Sequence, residues 1–453
     1  MSMQHEAALI TELFRQRNIR CRITGGYATP SYLCFRMEKD LAQDHKPLVG
    51  LANDIEAHLH AYRARSGNLP ANAQTSVRIT LKPLAIEVNR PQPDALPFDA
   101  AMQRWPGEAH TALCGWTFDN GPKGEPLIWN LADPATAHAF VAGTTGSGKS
   151  NLLLAILKSL AWSTSPADLG MYIVDGGSAD LMHLANLPHT VAFASDIAGA
   201  QELIDQVAAI VDARKNGAAM ARRIVLVVDE LAALALTGNA KRIQLALAMI
   251  AQEGRKWNVT LLLSTQKPMA DISGSLAKSN IGLRLVGAVT SKDDANTAAD
   301  IVGTGAERLP GRGAFIWRNG LTIRRFQAPL IDVRIGWVKR IRRRWAHIDA
   351  PQPPAATPST TSIPFTAPAA PQRPSIIAPP AALLAVFQQY DDGEGAMRRG
   401  WKTAAVTALN NGDLPTGTTF QRLSEQAEEY LLTYFASPAA PVAPILRLHT
   451  GTK

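Results

Sequence analysis

A chain of 453 residues, 46% apolar and 19% charged, is too long for one ordinary core and too apolar for a disordered tail, so two or three globular units with a linker are expected. The formal charge of +8 favours a polyanionic partner, because Lys and Arg release counterions when they bind phosphates. Cys21, Cys34 and Cys114 form no C-x-x-C pair, which argues against zinc and disulfides. Acids within the opening segment, and no run of about 18 apolar residues, argue against a signal peptide and a membrane segment; a cytoplasmic location is expected.

In chain order, residues 1–110 read as a small α+β domain. Residues 7–16 are amphipathic, 32–37 alternate like a strand, and 48–63 carry apolar residues at helical spacing. Residues 77–88 alternate on either side of Pro83, and NRPQPDALP then supplies turn chemistry. Residues 111–345 form the second unit. Its apolar runs AFVAG, MYIVD, RIVLVVD and VTLLLS alternate with segments long enough for helices. That texture predicts a doubly wound α/β domain on a buried parallel sheet, with ligands outside the carboxyl ends of the strands. The basic, tryptophan-containing stretch at 333–345 fits both a phosphate-backbone contact and a solvated helix that ends the domain. Residues 346–380 are a Pro/Ala-rich linker. Within residues 381–453, helix-like stretches at 382–390, 396–410 and 420–435 fit a plain three-helix bundle as well as a winged-helix or helix-turn-helix module.

The strongest motif is GTTGSGKS at 143–150, a complete G-x-x-x-x-G-K-S between an apolar strand and the apolar helix pattern NLLLAILKSLAW. Gly143, Gly146 and Gly148 let the backbone curl around Thr144, Thr145 and Ser147, so that loop amides point at phosphates; Asn151 follows in the helix N-terminus, which adds partial positive charge. ATP is the expected ligand. Lys149 would reach its β and γ phosphates, and Ser150 would bind Mg²⁺. At the end of RIVLVVDE, Asp229 would make a second Mg²⁺ contact and Glu230 would polarise the attacking water. Gln266, ending VTLLLSTQ, would sense the γ phosphate. That role requires an extra strand between the loop strand and the acidic strand, which would make the domain RecA-like. A trans-acting arginine, which implies a ring or filament, is sought in Arg255 and Arg284.

With these motifs assembled, residues 127–326 resemble the FtsK/SpoIIIE-type DNA translocases of the FtsK and HerA superfamily. The resemblance rests on VAGTTGSGKSNLL, LPH at 187–189, LVVDELAAL, GRKWNVTLLLSTQKP, SNIGLRL and TSKDDANTAADIVGTGAERLPGRGAFIW in that order. It implies an ATP-hydrolysing motor on double-stranded DNA that assembles as a homo-hexamer. It ranks Arg255 above Arg284 and suggests Lys278 as a DNA contact facing the channel. DIEAHL at 54–59 resembles the smaller domain that precedes the motor in this family. Two departures stand out: Asp175 is followed by Gly176-Gly177-Ser178 where Lys or Pro is usual, and Lys267 stands where Arg is usual. A conjugative coupling or secretion ATPase moving single-stranded DNA or protein is the alternative, since cargo cannot be read from a phosphate loop. A regulator that uses ATP only to assemble is a third reading, which the complete set of hydrolytic residues disfavours.

Overall fold

The computed structural model describes residues 3–40, 45–70, 74–81, 83–105, 107–176, 180–235, 240–267, 280–332, 335–348, 381–390, 400–410 and parts of 419–431. Lys278, the linker beyond residue 348 and most of the last helix-like stretch lie outside the described residues.

The first unit comprises α1 (Met3–Gln16), β1 (Cys21–Ala28), β2 (Tyr32–Lys39), α2 (His45–Gly50), α3 (Ala52–Arg65), β3 (Val77–Leu81) and β4 (Leu84–Asn89). Its strands form an antiparallel sheet in the order β1-β2-β4-β3. Ile10, Leu13 and Phe14 of α1 share a core with Ile55 and Leu59 of α3 and with Phe35, Ile86 and Val88 of the sheet, the one-sided burial expected of amphipathic helices. Arg63 and Glu6 are buried as a bidentate pair at 2.8 and 2.9 Å, and Arg63 also donates to the Asn89 carbonyl at 2.8 Å. The pair thereby ties α1, α3 and the end of β4 together. The helical pattern expected over 48–63 is in fact two helices, α2 ending at Gly50 and α3 starting at Ala52. Strand β1 gave no clear signal because its register shifts between Ile23 and Gly25, and its Gly26 lies where a Cβ would stand 2.6 Å from the Cys34 carbonyl oxygen.

The second unit contains α4 (Phe98–Arg104), β5 (Thr111–Thr117), β6 (Glu125–Asn130), β7 (Ala139–Ala142), α5 (Lys149–Ser163), β8 (Leu169–Val174), β9 (Thr190–Ala194), α6 (Ile197–Lys215), β10 (Arg223–Val228), α7 (Leu231–Ala235), α8 (Ala240–Glu253), β11 (Val259–Thr265), β12 (Leu283–Val286), α9 (Lys292–Ala299), β13 (Ala314–Asn319), β14 (Thr322–Gln327) and α10 (Trp337–Arg344). They build one sheet in the order β6-β5-β14-β13-β12-β7-β11-β10-β8-β9. The six strands from β12 to β9 are parallel, as the apolar runs predict. From β12 to β6 the pairing is antiparallel, which the expectation of a parallel sheet did not include. The physical reason is loop length. Only Gly320 and Leu321 separate β13 from β14, and residues 118–124 separate β5 from β6, too few for a parallel crossover.

Alternate side chains of β10 serve opposite faces: Ile224, Leu226 and Val228 join the core with α6 and α8, while Val225 and Val227 join the core with α5. Burial on both faces explains why this strand reads as a continuous apolar run. Helix α4 falls in the expected 1–110 unit, yet Phe98 packs on Trp337 at 4.9 Å and shares a core with Trp116 and Ala155 of the second unit. The tryptophans of the basic stretch are packing groups. Trp337 meets Trp162 at 5.4 Å, Trp345 donates to the Ala161 carbonyl at 2.8 Å, and Arg344 stacks on both Trp162 and Trp345. The reading of α10 as the helix that ends the domain therefore accounts for these residues. After the linker, α11 (Ala381–Tyr390) and α12 (Trp401–Leu409) bury Leu383, Phe387, Trp401 and Ala405 together. No described helix is long and apolar enough to cross a membrane.

Burial also holds the imidazoles of His138 and His189 down to about 4, below the ordinary 6.5. His138 accepts from the Leu261 amide at 3.0 Å, and His189 contacts the Thr164 carbonyl at 2.7 Å. A histidine kept neutral by the fold leaves the unfolded chain binding the extra proton, so the contribution is intact above about 6.5 and is lost as pH falls toward 4. Stability should fall through that window by on the order of 3 kcal/mol per histidine. Urea unfolding at stepped pH tests this: His189→Gln should flatten part of the slope, and an unchanged slope would remove His189 as a contributor.

Candidate active site

The phosphate loop starts where β7 ends, and neighbouring strand ends fix its first residues. Gly143 donates its amide to the Thr265 carbonyl at 3.2 Å, and Thr144 donates both amide and hydroxyl to the Ala288 carbonyl at 2.9 and 3.0 Å. The loop then closes on itself through the Ser147 amide and the Thr144 carbonyl at 3.0 Å. Gly146 and Gly148 adopt φ of 82° and 98°, left-handed values that glycine reaches without strain. Thr145 and Gly146 are exposed at the top of the loop, while Ser147 is buried and its hydroxyl has no hydrogen-bond partner among the described residues. Ser150 is half-buried in the first turn of α5. Asn151 is committed elsewhere: its amide group donates to the Pro329 carbonyl at 2.5 Å and accepts from the Ile331 amide at 2.8 Å. Only its backbone remains to face a phosphate.

Strand β11 lies between the loop strand β7 and the acidic strand β10, the insertion on which the RecA-like expectation turned. Lys149 spans that gap. Its ammonium pairs with the Asp229 carboxylate and donates to the Ser264 hydroxyl at 3.1 Å, and Ser264 in turn donates to Asp229 at 2.5 Å. Lys149 and Asp229 are 5% and 1% exposed, so the pair is sealed from water. Glu230 follows in a left-handed conformation, φ 58°, that a glutamate rarely adopts. Its carboxylate accepts from the Thr265 hydroxyl at 3.0 Å and the Gln266 amide at 3.1 Å. The Gln266 side chain closes the circuit by accepting from the Thr145 hydroxyl at 3.0 Å.

The structure therefore brings together the loop residues Thr145 and Lys149 with Asp229, Glu230 and Gln266, and adds Ser264 and Thr265, which sequence reasoning passed over. Their signal was two hydroxyls at the end of an otherwise apolar, fully buried strand. The two arginines are not part of this group. Arg255 is exposed in the turn before β11, roughly 20 Å along the strand from Gln266. Arg284 is 1% exposed and donates to the Ala298 carbonyl at 3.2 Å, with Asp300 at 3.8 Å, and burial lowers its pKa to about 10. A side chain so enclosed is not presented to a neighbouring subunit. The Ser150 hydroxyl and Asp229 carboxylate are hard oxygens suited to Mg²⁺, which takes few protein ligands and keeps waters and phosphate oxygens. Among the described residues no group of three or more His, Cys, Asp or Glu side chains forms a separate metal cage.

A phosphate loop at the end of a parallel strand, with an acidic pair one strand removed, defines a P-loop ATPase domain, and nucleotide is its ligand. Residues 102–223 match the model of the FtsK/SpoIIIE family. It is 30% identical over 231 residues to the DNA translocase FtsK of Helicobacter pylori strain J99, covering 46% of this chain and 26% of that protein. It is 29% identical over 220 residues to the DNA translocase SftA of Bacillus subtilis, covering 44% and 23%. Among solved structures, the EssC ATPases 2 and 3 of Geobacillus thermodenitrificans align with a TM-score of 0.47 at 19% identity, over 56% of this chain and 52% of that one. The pCW3 conjugation coupling protein TcpA aligns with a TM-score of 0.46 at 18% identity, over 72% and 96%. The chain spans about a quarter of the length of these two curated relatives.

Gly176, the departure after Asp175, packs directly under Glu230: a Cβ there would collide with the Asp229 carbonyl and stand 2.5 Å from the Glu230 Cβ. Gly176→Ala should destabilise the protein by about 1–3 kcal/mol through this overpacking. Gly25→Ala, where a Cβ would meet nothing within 4 Å, is the control. Equal urea midpoints for the two variants would show that the Asp229–Glu230 corner is not held against Gly176.

Proposed function

We propose that the chain hydrolyses ATP with Mg²⁺ and uses the energy to pull double-stranded DNA through a homo-hexameric ring. The observation that carries the hydrolytic part of this reading is the run of hydrogen bonds linking Thr145, Gln266 and Glu230 beside the Lys149–Asp229 pair. The amides of Gly146 and of residues 148–150 would cradle the phosphates, the Ser147 amide being bonded to the Thr144 carbonyl, and the start of α5 would add its dipole. On binding a triphosphate, Lys149 would exchange Asp229 for phosphate oxygens; Asp229 and the Ser150 hydroxyl would be the residues to hold Mg²⁺, which would supply charge neutralisation. Glu230 orients and deprotonates the attacking water, its carboxylate already aimed by Thr265 and the Gln266 amide. Gln266 reports the γ phosphate to Thr145 and to β11.

Double-stranded DNA as cargo is supported by the FtsK/SpoIIIE domain, by relatives that are themselves DNA translocases, and by the net positive charge. The exposed Arg255 is the residue this reading assigns to the neighbouring subunit's γ phosphate, an arrangement that needs a closed ring. The division of the chain into a small unit, a motor, a linker and a helical module belongs to the same proposal.

Glu230→Gln should keep ATP binding and lose turnover by a factor of about 100 or more, the usual scale for a general base. Arg255→Ala should lower turnover only in the assembled state. Steady-state ATPase assays with duplex DNA, single strands and no DNA, beside light scattering with an ATP analogue, check all of this. Turnover by Glu230→Gln at the wild-type rate would remove its assigned role, and stimulation by single strands alone would replace the cargo.

A further inference from the structure

The turn Gly311-Arg312-Gly313 takes no part in the chemistry above, yet it lies against the phosphate loop. Arg312 donates its amide to the Gly146 carbonyl at 3.1 Å, and Gly313 donates its amide to the Ser147 carbonyl at 2.8 Å. The Gly146 carbonyl shares a peptide plane with the Ser147 amide, which closes the loop on the Thr144 carbonyl, and the Ser147 carbonyl shares one with the Gly148 amide. Because a peptide unit is flat, holding the carbonyl aims the amide on the other side. The contact is too close for side chains. A Cβ on Gly148 would stand 2.8 Å from the Gly313 nitrogen, and one on Gly311 would stand 3.1 Å from the Gly146 oxygen.

The turn is itself held from behind. Gln327, 5% exposed at the end of β14, donates to the Arg312 carbonyl at 3.0 Å, and the Ala328 amide donates to the Gly313 carbonyl at 2.7 Å. The other end of the Gln327 carboxamide accepts from the Ser31 hydroxyl, in the β1–β2 turn of the small unit. That turn has little freedom: Arg90 donates its amide to the Ser31 carbonyl at 2.8 Å, and Asp94 donates its amide to the Pro30 carbonyl at 2.9 Å. A carboxamide offers a donor and an acceptor from one neutral, planar group, and Gln327 uses both ends.

We propose that Gly311–Gly313 is a strap setting the shape of the phosphate loop, that Gln327 is its positioning residue, and that docking of the small unit through Ser31 is thereby coupled to nucleotide affinity. The inference rests on the nucleotide reading of the loop. Coupling of this kind is reciprocal, so nucleotide must also steady the small unit's turn.

The test uses the full chain and a fluorescent, slowly hydrolysed ATP analogue. Gln327→Met keeps the volume and removes both hydrogen bonds; Ser31→Ala removes only the distal one. Both should weaken analogue binding, Gln327→Met by roughly 5-fold or more and Ser31→Ala less. In the wild type the analogue should slow amide exchange over residues 29–32, and Gln327→Met should abolish that protection. A purely structural role would lower thermal stability and leave affinity and exchange where they were, and that result overturns the coupling. Should Gln327→Met fail to fold, Ser31→Ala decides alone, with wild-type affinity overturning the proposal. Lys149→Ala separates the two levels: wild-type binding no tighter than Lys149→Ala would defeat the nucleotide reading itself, whereas tight wild-type binding shared by both strap variants defeats only the coupling.

Discussion

Lys149 and Asp229 are both buried at the carboxyl end of the large sheet, and neither charge is tolerable there without the other. Desolvation of each ion costs several kcal/mol, and loss of one partner strands the second, at a cost of roughly 3–5 kcal/mol. What makes the pairing geometrically available is strand order. With β11 inserted, β7 and β10 are two strand spacings apart, about 10 Å. A lysine on the first turn of α5 can reach across that distance, and a carboxylate at the end of an adjacent strand would not need it to. Ser264 sits on the intervening strand where the two charges meet and bonds to both. The topology, the lysine and the aspartate therefore define one another.

Glu230 shows the same dependence from the side of backbone strain. A left-handed glutamate costs on the order of 1–3 kcal/mol and persists only where its surroundings hold it. Here Thr265 and the Gln266 amide grip the carboxylate, and Gly176 leaves room beneath it. The glycine that looked like a lost contact in the family's pattern is, in this chain, a steric requirement of the acidic corner. Strain located at the residue proposed to handle water is strain that aims a side chain, since an unstrained backbone would direct it elsewhere.

Much of this was legible because it is local. The phosphate loop, its helix and the acidic strand are short contiguous patterns whose physics is contained in a dozen residues, and strands buried on both faces announce themselves as apolar runs. What escaped depends on partners remote in the chain. The stretch around Trp337 fitted a phosphate-backbone contact as well as a domain-ending helix because Phe98 and Trp162, against which Trp337 packs, lie far upstream. Arg284 was set beside Arg255 because a charged residue in an apolar strand has no visible partner in sequence; Ala298 and Asp300 supply one after α9 folds back. The antiparallel half of the sheet was hidden for a different reason: alternation and apolar content do not encode strand direction, and only the short loops around residues 118–124 and 320–321 do.

That antiparallel half gives the fold its second use of the sheet. Strand β14 carries Arg325, which meets Glu87 of the small unit at 3.2 Å and stacks over Tyr32, and it ends at Gln327, bonded to Ser31 on one side and to the phosphate-loop strap on the other. One strand thus bears both the fastening of the small unit and the backing of the nucleotide loop. A sheet fixes the relative position of its strands through its ladder of backbone hydrogen bonds. Gly313 is hydrogen-bonded on both sides, to the Ser147 carbonyl and from the Ala328 amide, so on the proposed coupling a shift of the small unit that moves Gln327 reaches the phosphate loop through this turn. The strap therefore lies between the docked small unit and the phosphate loop, hydrogen-bonded to the loop and to the end of β14.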